Sequence, residues 1–98
     1  MSINEKFLYK FDLNMVVTFL VLFRERNVTR TAECMNVGQP AVSGSLSRLR
    51  SYFDDPLFTR TKSGMHPTPK ATLIAQQLLP AMSCIETLLV QQKSNTES

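Results

Sequence analysis

Gly38-Gln39-Pro40-Ala41-Val42-Ser43-Gly44-Ser45-Leu46-Ser47-Arg48-Leu49-Arg50 is the stretch on which the reading of the fold turns. Pro40 stands just inside the start of a helical pattern, where its fixed φ helps and its missing N–H costs nothing. Val42, Leu46 and Leu49 then recur at the spacing of one helix face. The other face carries Gln39, Ser43, Gly44, Ser47 and Arg48: short polar groups, a bare backbone and a cation. A helix that is apolar on one side and small and polar on the other fits the DNA major groove, where Gln, Ser and Arg read base edges. The stretch therefore predicts a DNA recognition helix.

The flanks supply what such a helix needs. Upstream, Asn27 starts a short helix through Met35, and Asn36-Val37-Gly38 turn into the recognition helix. Two short helices joined by about three residues, with small Ala32 at their crossing, have helix-turn-helix spacing. Gly38 can cap the second helix, less well than Ser. Before them, Asp12 is a good N-cap for Leu13 to Phe23. That run is β-branched, but it is long for a strand. Met15, Phe19, Leu22 and Phe23 share a helical face, and Arg24 and Arg26 suit a helix C-terminus. Residues 1–11 show no period and predict a flexible arm, with Phe7, Leu8 and Phe11 available to pack back.

Downstream, Asp54-Asp55-Pro56 ends the recognition helix. Leu57 to Arg60 reads as a short strand, Thr61 to Gly64 as a turn and Met65-His66 as a returning strand that Pro67 stops. A basic hairpin directly after a helix-turn-helix is a wing. Thr68-Pro69 is a second cap and N1 pair. From there Leu73, Ile74, Leu78, Leu79, Met82, Ile85, Leu88 and Leu89 repeat every three or four residues, a stripe that usually pairs with a copy of itself. Pro80 interrupts the stripe and should bend it, at roughly 3 kcal/mol unless packing compensates. The expected layout is an arm at 1–11, a winged helix-turn-helix at 12–67, a dimerisation helix at 68–91 and a disordered tail at 92–98.

Ninety-eight residues with 43% hydrophobic content suit one domain plus an extension. The net charge of +3 is unevenly spread. Residues 24–70 hold eight Lys/Arg against Glu25, Glu33, Asp54 and Asp55, a surplus of four around the recognition helix, where phosphate contacts are needed. Cys34 and Cys84 match no metal or redox spacing and sit among apolar positions, so both read as small buried hydrophobes. His66, the only histidine, reads as a wing surface residue. The apolar run Met15–Phe23 is too short to span a bilayer. A soluble, cytoplasmic, nucleoid-associated protein without membrane, metal or cofactor is the expectation, and no nucleophile–base pair or phosphate loop suggests an enzyme.

Arg26 to Ala32, Gln39 to Ser43, Asp55 to Arg60 and Gly64 to Thr68 resemble, in this order, the N-terminal DNA-binding region of LysR-type transcriptional regulators. Asp12-Leu13-Asn14 and Phe53-Asp54-Asp55-Pro56 are similar to the subgroup of nodulation activators and LeuO-like regulators. The resemblance spans about residues 12–90. It implies a mainly α winged helix-turn-helix followed by a linker helix that forms an antiparallel dimer on a two-fold related double-stranded operator, with a tetramer open to a full-length protein. It also implies a following ligand-sensing domain, so that this chain is an excised segment or a naturally short member, with any small-molecule effector bound outside it.

On that basis Gln39, Pro40, Ser43, Gly44 and Ser47 are the expected base contacts. Thr29, Arg30, Thr31, Arg48, Arg60 and Lys62 are the expected phosphate contacts, and Leu73, Ile74, Leu78, Met82, Ile85 and Leu89 the dimer contacts. Gly38 replaces the Ser usual before Gln-Pro, and Gly44 stands where many members carry a long polar or basic side chain. Of the two arginines that flank Leu49, Arg48 is assigned to DNA and Arg50 to an acid such as Asp54. Arg60 reads equally as a phosphate contact or as a tie to Asp54 or Asp55. The competing function is a helical interaction module that joins a partner regulator through residues 73–89.

Overall fold

Side-chain caps start four of the five helices. In the computed structural model, which describes residues 2–97 with side chains through Gln92, the first is α1, Glu5–Lys10, where the Phe7 N–H donates to Asn4 Oδ1 (3.1 Å). Helix α2 spans Leu13–Glu25, and the Asn14 N–H donates to Asp12 Oδ1 (2.9 Å). Helix α3 spans Val28–Met35, and the Arg30 N–H donates to Asn27 Oδ1 (2.9 Å). Helix α4, Gln39–Phe53, has Gly38 before it and no side-chain cap. Strands β1 (Phe58–Thr61) and β2 (Gly64–Pro67) follow, then α5, Pro69–Glu97, where the Ala71 N–H donates to Thr68 Oγ1 (3.1 Å). A side-chain oxygen at these positions satisfies one of the amides that a helix start leaves unpaired.

Arg26, Asn36 and Asp54 close α2, α3 and α4 in the left-handed region, with φ of 58°, 56° and 51°. Each returns its N–H to a carbonyl of the turn it ends, which lets the chain reverse in one residue. Helices α2, α3 and α4 enclose a core of Met15, Phe19, Leu22, Leu46 and Leu49, which Leu57, the hairpin residues Phe58 and Met65, and Ala71 and Ala75 of α5 complete. The Phe19 and Phe58 rings lie 5.6 Å apart at its centre.

The wing is an antiparallel pair in which Phe58 faces Pro67 and Thr61 faces Gly64, leaving Lys62-Ser63 as a two-residue turn. It is fixed to the body at Gly64. There φ is +121°, and an added Cβ would lie 2.6 Å from the Arg26 carbonyl oxygen, which accepts the Met65 N–H (2.9 Å). Only glycine allows that approach.

Several expectations change. Residues 5–10 of the expected arm are helical, while Phe7 and Phe11 do pack back, with rings 6.3 and 5.2 Å from Tyr52 at the end of α4. The backbone stays helical across Pro80 and through Glu97, into the stretch expected to be a disordered tail. Both cysteines are exposed rather than buried, because Cys34 lies off the Thr31/Ala32 face of α3 and Cys84 lies beyond the body. Leu57 is not the first strand residue. It is a fully buried leucine at φ +63°, in a tight turn where the Phe58 N–H donates to the Pro56 carbonyl (2.6 Å). Left-handed backbone costs a non-glycine residue about 1–2 kcal/mol, and burial of the leucine side chain offsets it.

Candidate nucleic-acid interface

Helix α4 buries Val42, Leu46 and Leu49, and every side chain assigned to bases lies away from that face. Gln39, Pro40, Ser43, Gly44 and Ser47 are all exposed. At 3.6 residues per turn they occupy one arc of about 140°. Nothing lies within 4 Å of the position a Cβ would take on Gly44, so no packing inside the fold requires a glycine there. Arg48 is exposed beside this arc. The α4 N-terminus, with no side-chain cap, lies at the same end as Gln39 and Pro40 and favours an anion.

The phosphate candidates divide. Arg60 and Lys62 on the wing are exposed, and neither has an ion-pair partner among the described residues; the tie from Arg60 to Asp54 or Asp55 does not form. Thr29 is exposed at the start of α3. Arg30 is exposed too, with Nε 3.3 Å from Glu25 Oε1. Glu25 also receives Arg24 Nε at 2.7 Å, and that hydrogen bond above all holds its carboxyl below the usual range. Thr31 is corrected: it is fully buried and its hydroxyl donates to the Asn27 carbonyl (2.8 Å), so it braces the α3 cap and cannot reach a phosphate.

Arg50 is structural, as the sequence suggests, but its partners are carbonyls and not Asp54. Its Nε donates to Pro56 O (2.7 Å) and its Nη2 to Phe58 O (3.0 Å), tying α4 to the entry of the wing. Beside it Asp55 Oδ2 accepts both the Leu57 N–H and the Thr68 hydroxyl, each at 2.8 Å. The Thr68 bond first, and the Leu57 amide second, hold the Asp55 carboxyl below its ordinary range. Lys70 Nζ donates to the Phe53 carbonyl (2.6 Å). Neither hub carries a sequence signal of its own. Arg50 and Asp55 look like other charged residues near a helix end, and all their partners but the Thr68 hydroxyl are backbone groups that any sequence supplies.

The α5 stripe does two jobs. Ala71 and Ala75 are buried, and Ile74 and Leu78 pack on the core, so those two dimer candidates already serve their own domain. Met82 is half-buried. Ile85 and Leu89 continue the same face past the body and are 43% and 64% exposed. Leu73, 60% exposed, lies on roughly the opposite side of the helix, at about 200° from Ala71, and leaves the stripe. Beside the stripe runs an open groove of about 850 Å³ between α2 and α5, walled by Val17, Leu20, Val21 and Phe23 against Leu79 and Met82. By length and composition Pro69–Gln92 could also cross a membrane. The packing of its first turns on the core ties it to the winged domain instead.

Comparison with known proteins agrees with this geometry. Residues 13–72 match the family described as bacterial regulatory helix-turn-helix protein, lysR family. The chain is 45% identical over 83 residues to the HTH-type transcriptional activator NahR of Pseudomonas putida, a match that covers 85% of this chain and 28% of that protein. The chain thus spans under a third of the length of that relative. A probable transcriptional regulator from Pseudomonas aeruginosa superposes with a TM-score of 0.78 at 35% identity, over 85% of this chain and 28% of that one. The BenM DNA-binding domain, solved with catB site 1 DNA, superposes with a TM-score of 0.77 over 90% of this chain and 99% of that one; at 18% identity it speaks for the fold alone. With the matched region covering more than half of its residues, this chain belongs to the LysR family of bacterial regulatory helix-turn-helix proteins.

Proposed function

We propose that the chain is the sequence-specific, double-stranded DNA-binding part of a cytoplasmic transcriptional regulator, acting as a homodimer and without chemistry of its own. The observation that carries this is the exposed arc of Gln39, Pro40, Ser43, Gly44 and Ser47 on a helix whose other face is core. That arc enters the major groove, with Gln39 and Ser43 hydrogen-bonding base edges and Gly44 admitting close approach of the DNA. Thr29, Arg30 and Arg48 hold phosphates along the groove, and Arg60 and Lys62 of the wing hold the backbone beyond it.

Pairing follows from the unpaired length of α5. In an antiparallel two-fold arrangement, Ile85 and Leu89 of each copy fill the groove walled by α2 and α5 of the other, so one surface serves both copies. The two recognition helices then meet successive major grooves of a two-fold related site. Any small-molecule effector, and any tetramer, belongs to parts of a longer protein.

Fluorescence-anisotropy titration against a pool of randomised duplexes at two salt concentrations, with sequencing of the retained DNA, tests this. Enrichment of an inverted repeat whose binding weakens steeply with salt is the expected result. Lys62→Ala should then weaken all sequences alike, whereas Gln39→Ala should relax choice at one base position by about 1–3 kcal/mol. Absence of DNA binding at either salt, with dimers still present, would overturn the proposal in favour of a helical pairing module acting through residues 73–89.

A further inference from the structure

Four side chains, Arg50, Asp55, Thr68 and Lys70, hydrogen-bond across the junction between α4, the wing and α5. Asp55 Oδ2 accepts the Leu57 amide and the Thr68 hydroxyl. The same Thr68 hydroxyl accepts the Ala71 N–H inside α5 (3.1 Å), and the Thr68 N–H returns to the Leu57 carbonyl (2.8 Å). One carboxylate oxygen therefore joins the loop that leaves the recognition helix to the cap that starts α5. Lys70 reaches back from the first turn of α5 to the last carbonyl of α4, and Arg50 fixes the loop between them. Beside these bonds, Leu49 of α4 and Leu57 share one apolar cluster with Ala71 and Ala75 of α5.

We propose that the Asp55–Thr68 pair is a positioning device that sets the angle between the recognition helix and α5, and so sets the half-site spacing that a dimer accepts. The inference rests on the dimer reading above. Leverage makes the pair matter. Helix α5 has 29 residues, about 43 Å at 1.5 Å per residue. A tilt of about 10° at its first turn moves the far end by about 7 Å, roughly two base-pair steps. With the partner held at the distal half of α5, that displacement passes directly to the separation of the two recognition helices. Neither residue touches DNA; both act through the placement of α4.

The test uses the selected inverted repeat rebuilt as a series with spacers longer and shorter by one to four base pairs, together with an isolated half-site. The wild-type chain should favour one spacing about tenfold over its neighbours. Asp55→Ala and Thr68→Val should flatten that profile to within about threefold, while affinity for the isolated half-site changes less than twofold. Thr68→Ser, which keeps the hydroxyl, should restore the wild-type profile. A folded Asp55→Ala or Thr68→Val protein with the wild-type profile would overturn the inference, as would an equal loss on every spacing and on the half-site. If Asp55→Ala does not fold, Thr68→Val, which leaves the Asp55 bond to Leu57 in place, decides alone. A wild-type chain without any preferred spacing would overturn the dimer reading itself, and this inference with it.

Discussion

Two glycines with opposite surroundings show how much a single position can carry. Gly64 combines φ of +121° with a carbonyl oxygen 2.6 Å from where a Cβ would sit. Gly64→Ala should therefore lower stability by about 2–4 kcal/mol, seen as an earlier urea midpoint. Gly44 has ordinary helical backbone and open space around it. Gly44→Ala should raise stability by about 1 kcal/mol while weakening binding to the selected site; a gain in both would remove Gly44 from the reading face. The exposure of the recognition arc was legible because a helix with three buried leucine and valine positions has its other side defined by geometry. Thr31, Cys34 and Cys84 were not legible at this scale. Thr31 stands between Arg30 and Ala32 and the cysteines among apolar positions, and only the packing of α3 and the overhang of α5 decide that the threonine is buried and the cysteines are not.

At the scale of elements, the starts of α2, α3 and α5 were legible from Asp12, Asn27 and Thr68, since a cap is a local event between a side chain and an amide two or three residues away. Elements that depend on distant partners escaped. Helix α1 exists against Tyr52, more than forty residues later, and β1 starts one residue late because Leu57 turns into the core. The wing is held through Arg50, so Arg50→Ala should cost about 1–3 kcal/mol and weaken DNA binding through a loosened hairpin. Arg48→Ala, on the exposed side, should leave stability within about 0.5 kcal/mol yet weaken binding to every sequence. Paired urea melts and anisotropy titrations separate the two; equal losses of stability would merge their roles.

For the molecule as a whole, acid should loosen the joint before it loosens the core. The Asp55 carboxyl is held below its ordinary value, first by the Thr68 hydroxyl, then by the Leu57 amide, with Lys70 adding attraction. The unfolded chain thus takes up its proton first as pH falls. The contribution is whole above about pH 4, the ordinary carboxylate value, and is lost as pH drops further through the lowered folded value. Urea midpoints compared below pH 4 should fall more steeply for the wild type than for Asp55→Asn. Glu25 is also held low and titrates alike in both proteins, so the difference between them belongs to Asp55. Parallel curves would exclude a stabilising Asp55 carboxylate.

The domain covers the first turns of its longest helix and leaves Ile85, Leu88, Leu89 and Val90 in water. The consequence is one of mass action. In the proposed dimer, the free energy that this apolar length releases is collected when two chains meet, so pairing and folding share one equilibrium. Each tenfold dilution below the dissociation constant then withdraws about 1.4 kcal/mol from the pair. The melting temperature should rise with protein concentration, and a chain made in few copies would be a firmer structure on its operator, where two copies are held side by side, than free in solution.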